Sequence, residues 1–148
     1  MMSIKINEEV KSLLKLKKIE EANKLLGYNY YVEGPVVHGL KNGRKINFPT
    51  VNQEIEEEIL PHGVYISRTK VGDKIYKSMT NIGTHPTINE LDKPIIETHL
   101  LDFNEFIYGQ IVKVEILSFI REQKKFPSLN DLKEQLNQDC IKAQNYEI

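Results

Sequence analysis

The change of periodicity at Gly27 constrains the fold more than any other feature of this 148-residue chain. Before it, Val10, Leu13, Leu14, Ile19, Ala22, Leu25 and Leu26 recur at three- and four-residue spacings, and Gly27 supplies a stop. Residues 7–26 are therefore expected to be helical, with a break into two helices where Lys15, Lys17 and Lys18 crowd around Leu16. After Gly27 the pattern becomes strand-like. Tyr28–Val37, Gly63–Val71, Lys74–Ile82, Ile95–Leu101 and Ile111–Phe119 are rich in β-branched and aromatic residues or alternate apolar with polar. Gly72-Asp73 is a two-residue hairpin signal joining the second run to the third. Short strands with turn signals between them point to an antiparallel barrel or sandwich. At the end, Ser128 with Asp131 three residues on reads as a helix N-terminus. Leu129, Leu132, Leu136, Cys140 and Ala143 form a stripe that should cover the sheet.

Composition limits what such a fold does. Charged residues at 28% and apolar ones at 40% suit one globular domain with its own core. A formal net charge of −1 gives no global pull toward nucleic acid or a membrane, so any basic site is local. The lone Cys140 forms no internal disulfide and reads as a small core residue. No apolar run approaches the ~20 residues of a membrane span, and the N-terminus lacks the apolar region of a signal peptide. A cytoplasmic location is expected.

Chemistry concentrates in residues 34–52. Val36-Val37 leads into a stretch with Gly39 and Gly43 and the cations Lys41, Arg44 and Lys45, followed by Phe48-Pro49-Thr50-Val51-Asn52. Glycines let backbone N–H groups close on an anion, cations favour a polyanion, and a hydroxyl with an amide suits a Mg²⁺-bound phosphate. No Gly-Lys-Ser/Thr ends the stretch, so it is not a Walker loop. Read alone, it is equally a cationic surface hairpin. Glu97 lies in the apolar run Ile95–Leu101 and shares a face with His99 and Leu101, opposite Ile96, Thr98 and Leu100. If that face looks inward, poor hydration raises the carboxyl pKa and equips it as a general base. A solvent-facing strand carboxylate is the commoner outcome for such a residue read alone. His38, His62, His85 and His99 have no metal-ligand spacing.

Four segments in order carry a family resemblance. Pro49-Thr50-Val51-Asn52, Asn81-Ile82-Gly83-Thr84-His85-Pro86-Thr87, Glu97-Thr98-His99-Leu100-Leu101-Asp102-Phe103 with Tyr108-Gly109, and Ile120-Arg121-Glu122-Gln123-Lys124-Lys125-Phe126 resemble the signatures of the riboflavin kinases. The match is to the C-terminal kinase module of bacterial bifunctional FAD synthetases. The resemblance implies a mainly β fold, a six-stranded antiparallel Greek-key barrel with a C-terminal helix packed on it and an N-terminal helical segment. It divides the chain into a helical segment 1–27, where Glu20-Glu21-Ala22 to Gly27 looks like the interdomain connector, and a barrel domain 28–148. The implied activity is phosphoryl transfer from Mg-ATP to riboflavin, giving FMN and ADP.

Residue by residue, Glu97 would take the proton of the ribityl 5′-hydroxyl. Thr50 and Asn52 would hold Mg²⁺ and the ATP phosphates, under a flap carrying Gly39 and the Arg44-Lys45 pair, either cation meeting phosphate. Leu100, Asp102 and Tyr108 match positions near the nucleotide. Arg121, Lys124 and Phe126 match positions on the flavin side; read alone, 121–125 is equally a solvated basic turn and Phe126 a staple for the helix after it. The chain departs from the family pattern at Asn47, where a Gly is usual, and at Val51, where Ala is usual. An adenylyltransferase domain or subunit is the expected partner, since the chain carries no His-x-Gly-His motif of its own and FAD formation is not expected from it. Two other functions compete: a flavin-binding regulatory module without turnover, and a small barrel binding single-stranded nucleic acid through Tyr28, Tyr30 and Tyr31.

Overall fold

The computed structural model describes residues 7–37, 50–54, 60–83, 95–102 and 109–147. The expected helical break is present: α1 (Glu8–Lys15) and α2 (Ile19–Leu26) are separated by a turn in which Lys17 adopts φ 65°. The Asn7 side chain caps α1 by accepting from the Val10 N–H at 2.9 Å. Six strands follow, β1 (Tyr31–Pro35), β2 (Thr50–Glu54), β3 (Gly63–Val71), β4 (Lys74–Gly83), β5 (Ile95–Leu100) and β6 (Ile111–Arg121), and then α3 (Leu129–Asn145). The sequence runs 28–37 and 111–119 shift to 31–35 and 111–121, and β2 is a strand that hydrophobic patterning does not mark.

All pairings are antiparallel, in the order β1-β6-β3-β4-β5-β2. Gly72, at φ 60°, makes the tight β3–β4 turn that an L-residue would resist. The sheet curls until its edges nearly meet. Among the described residues, closure consists of one bridge, Val37 N–H to the Asn52 carbonyl at 2.7 Å, and of the Gln53 amide, which donates to the carbonyls of Gly34 (3.0 Å) and Val112 (3.2 Å).

The interior takes one face of every strand. Val51, Tyr65, Ile82, Ile96, Leu100, Val112, Val114 and Ile116 form the apolar part, joined by Val10, Leu14, Ile19 and Ala22 of the helical pair. Asn23 fastens α2 to the barrel, donating to the Ile116 carbonyl and accepting from the Tyr30 N–H. The rest of the interior is polar. Thr69, Ser78, Ser67, Thr80 and Thr98 link hydroxyl to hydroxyl at 2.7–3.0 Å, and all are buried. Buried hydroxyls satisfied by one another avoid the cost of lone desolvated donors.

Outside the barrel, α3 lies against β3 and β4. Leu136 packs on Met79, while Ala143 and Cys140 pack on Ile66, Leu101 and Leu117. The stripe is narrower than its sequence suggests: Leu129 stands 54% exposed, and the fully buried Asp139 enters it instead. Burial raises the Cys140 thiol pKa, and the charges of Asp102 and Asp139 push the same way, so a core role fits it.

On the far side, Arg68 clamps Glu115 with two bonds, Nε to Oε2 at 2.7 Å and Nη2 to Oε1 at 3.0 Å. Burial favours the neutral carboxyl, but hydrogen bonds and charge from Arg68, aided by Asn29 and Lys113, outweigh it and hold the pKa below the usual carboxylate value. A depressed folded-state pKa contributes stability above the unfolded value and loses it as pH falls through the folded one. Arg68→Met is therefore expected to cost about 2 kcal/mol at neutral pH, with the deficit shrinking below about pH 4. Urea unfolding of both proteins at the two pH values checks this, and a deficit unchanged in acid would count against it.

Candidate active site

The site is built on the outer face of three adjacent strands. In the register of the sheet, Asn52 of β2 and Asn81 of β4 stand on either side of Glu97 of β5, and Thr50 and Met79 stand on either side of His99. Cross-strand partners share a face and hold their Cβ atoms about 4.5–5.5 Å apart. The row Asn52–Glu97–Asn81 thus brings two amides to a carboxylate without help from any loop.

Glu97 does not point into the barrel. The interior is taken by Ile96, Thr98 and Leu100, each 0–2% exposed, so the face that carries Glu97 and His99 is the outer one. It is nonetheless sheltered: the His99 side chain is 6% exposed and the Glu97 side chain 20%. Glu97 Oε1 lies 3.3 Å from His99 Nε2, the i,i+2 relation of one strand face. The inward-facing placement considered from sequence is therefore not the one adopted: Glu97 sits on the outer face, partly shielded, beside the nearly buried His99.

Asn52 is 4% exposed, and its Oδ1 has no hydrogen-bond partner among the described residues. A buried acceptor left this way costs about 1–3 kcal/mol, and a bound ion or water is one way of satisfying it. Thr50, two residues earlier on the same face, is half-buried. The two make an oxygen ledge beside Glu97.

Beyond Asn81 the wall continues through the segment after β6. Gln123 Nε2 donates to Asn81 Oδ1 at 2.8 Å, and a Cβ at Gly83 would collide with the Gln123 amide, so the bare backbone there is what seats it. Arg121 is bound by the fully buried Asp139: Nε reaches both carboxylate oxygens at 3.2 and 3.1 Å, and Nη2 reaches Oδ2 at 2.8 Å. Gln135 adds a further bond to Asp139 Oδ1. The Arg121 guanidinium also faces the Phe126 ring at 5.9 Å. Lys124 is exposed, 3.5 Å from Gln135 Oε1. Lys17 reaches over from the helical pair to Glu122 at 3.1 Å.

Of the residues singled out from sequence, Thr50, Asn52 and Glu97 are brought together. Arg121 and Phe126 meet at the same end of the barrel, with Arg121 committed to Asp139. The Leu100 side chain is 2% exposed in the interior. Asp102 is exposed at φ 57° on the turn after β5, beside a hollow of about 200 Å³ lined by Tyr76, Lys77 and Leu101. Gly39, Arg44, Lys45 and Tyr108, with Asn47 and His85, lie outside the described residues. Sequence reasoning missed Gln53, Asn81, Gln123 and Asp139. Asn81 stood in a quoted motif without a role, and Asp139 was a charge at helical spacing from Leu132, Leu136 and Ala143, which is a signal that could have found it.

Comparison with known proteins gives a consistent picture. The family model described as riboflavin kinase matches residues 26–147. A bifunctional riboflavin kinase/FMN adenylyltransferase of Bacillus subtilis is 38% identical over 93% of this chain and 45% of its own length. One of Haemophilus influenzae is 41% identical over 86% of this chain and 42% of its length. The chain thus spans less than half the length of these relatives. Among solved structures, one from Streptococcus pneumoniae described as a macrolide-efflux protein superposes with a TM-score of 0.86 at 32% identity, over 97% of this chain and 48% of the other. A riboflavin kinase of Trypanosoma brucei shares the fold with a TM-score of 0.55 at 21% identity, over 78% and 77% of the two chains.

Proposed function

Because the chain belongs to the riboflavin kinase family, we propose that it transfers the terminal phosphoryl group of ATP to the ribityl 5′-hydroxyl of riboflavin, giving FMN and ADP. The observation that carries the reading is the row of Asn52, Glu97 and Asn81 on one sheltered sheet face. Glu97 accepts the hydroxyl proton as the new O–P bond forms and the bond from the terminal phosphorus to the ADP oxygen breaks. Its cross-strand neighbours are the amides of Asn52 and Asn81, and His99 orients it from the same strand.

The orphaned Asn52 Oδ1 and the adjacent Thr50 hydroxyl fit a hard divalent cation, which takes oxygen ligands and needs few from the protein when phosphates supply the rest. Mg²⁺ held by Thr50 and Asn52 would neutralise phosphate charge and help align the transfer. Arg44 or Lys45 would meet the phosphates, with Gly39 in the same flap, and Leu100, Asp102 and Tyr108 would border the nucleotide. Phe126 offers an apolar face to the isoalloxazine ring, and Lys124 a charge near it. The partner we infer is an adenylyltransferase domain or subunit that consumes FMN.

Incubation with riboflavin, ATP and Mg²⁺, followed by chromatographic separation of the flavins, tests the reading. FMN is expected, and excess EDTA should abolish its formation, with added Mg²⁺ restoring it. A folded protein that binds riboflavin and yields no FMN would overturn the kinase assignment in favour of a binding module.

A further inference from the structure

The barrel has a seam, and among the described residues the Gln53 side chain bridges it. β1 and β2 are the two edges of the sheet, and among the described residues only the Val37–Asn52 bridge pairs their backbones. Gln53, 1% exposed, projects inward from β2 and spreads its two amide hydrogens over the carbonyls of Gly34 and Val112, which are themselves register partners across β1 and β6. A side-chain amide thus does across the gap what a backbone ladder does elsewhere in the sheet. Its Oε1 is buried without a hydrogen-bond partner among the described residues. An amide with an orphan acceptor stabilises a core poorly, since an apolar side chain of the same size would fill the space without desolvating an oxygen. It fixes a distance well, because two donors converge on two carbonyls.

That distance matters to the site. Gln53 follows Asn52 directly and lies three residues after Thr50, so whatever sets β2 against β1 and β6 sets the oxygen ledge too. Resting on the kinase reading above, we propose that Gln53 is a positioning residue for nucleotide binding: its clasp on Gly34 and Val112 holds the outer edge of β2 against β1 and β6 and so steadies the Thr50–Asn52 ledge that the β2–β5 ladder sets beside Glu97. It acts through β2 and touches no substrate. The flavin-side wall, built from β4, the Arg121 end of β6 and α3, stands on the other flank of Glu97, whereas the clasp grips β6 at its opposite end, at Val112.

The test uses Gln53→Met, which keeps length and volume but loses both donors, and Gln53→Leu as a second apolar replacement. Both are expected to fold, as circular dichroism and a cooperative thermal transition would show. Loss of a residue that orients a ligand-bearing one typically weakens metal-site function 10- to 100-fold. We therefore expect the KM for ATP and the dissociation constant of Mg²⁺–ADP, read by thermal shift, to rise about tenfold or more, with the KM for riboflavin within about twofold of wild type. Amide hydrogen exchange at Val37, whose N–H bonds the Asn52 carbonyl, should accelerate in the same variants. Folded variants with unchanged Mg²⁺–ADP affinity would overturn the proposal, as would equal losses for ATP and riboflavin. The Mg²⁺–ADP measurement needs no turnover, so a wild type that binds ADP without making FMN would count against the kinase reading alone.

Discussion

Glu97→Gln is expected to lower FMN formation by about 10²–10⁴-fold, the usual contribution of a positioned general base. The substitution is nearly isosteric and keeps a hydrogen-bond acceptor beside His99, so the strand and its neighbours should remain in place. What it removes is a site for the proton. A carboxylate on a sheet face whose cross-strand partners are Asn52 and Asn81 has no other base in its row. Riboflavin affinity should therefore change little, and the loss should appear in kcat. The measurement is steady-state FMN production by wild type and variant, together with riboflavin binding by quenching of flavin fluorescence. A variant retaining more than about a tenth of wild-type kcat would remove Glu97 from the role of base and return the assignment to positioning alone.

Asp139→Ala should be the most destabilising single change among the polar residues described. Its carboxylate is fully buried and takes three contacts from Arg121, whose side chain is only 13% exposed. Removing one member of a buried pair leaves the other charge desolvated, which costs about 3–5 kcal/mol. For a chain of this size that corresponds to a fall of roughly 10 °C in thermal midpoint. The double variant Arg121→Met with Asp139→Leu separates the cost of an orphaned charge from the worth of the pair. Replacing both members by apolar groups is often near neutral, so the double variant should recover most of the lost stability. Its riboflavin KM should nevertheless rise, because the guanidinium fixes the turn that carries Lys124 and Phe126. Thermal unfolding of the single and double variants, with KM for each substrate, decides the matter; a single variant as stable as wild type would show that the pair contributes nothing.

Much of this architecture was legible locally. The helical break at Lys15–Lys18, the turn at Gly72-Asp73 and the cap at Ser128 are fixed by neighbours in sequence, and each is found where its residues place it. The β2 strand was not legible as a strand. Thr50 and Val51 favour a strand but Asn52 and Glu54 do not and no apolar alternation marks the run, so its extended form rests on pairing with β5 and on the Gln53 clasp. The direction of Glu97 was undecidable from alternation, because both faces of β5 are sheltered, one by the interior and one by what covers the sheet. Asp139 escaped for a related reason: a charge within an apolar helical stripe looks like an interruption until its partner, 18 residues earlier on β6, is seen. The grouping of Thr50, Asn52 and Glu97 was expected only through family resemblance, since spacing alone does not reveal which strands lie side by side.

The hydroxyl chain through the barrel bears on how stability varies with temperature. Unfolding a core of leucines and valines raises the heat capacity, whereas exposing polar groups lowers it. With Ser67, Thr69, Ser78, Thr80, Thr98 and Gln53 all buried among the apolar side chains, part of the usual increment is cancelled. The free energy of unfolding then follows a shallower arc, and the protein holds its stability across a wider span of temperature than a barrel of the same size filled with hydrocarbon.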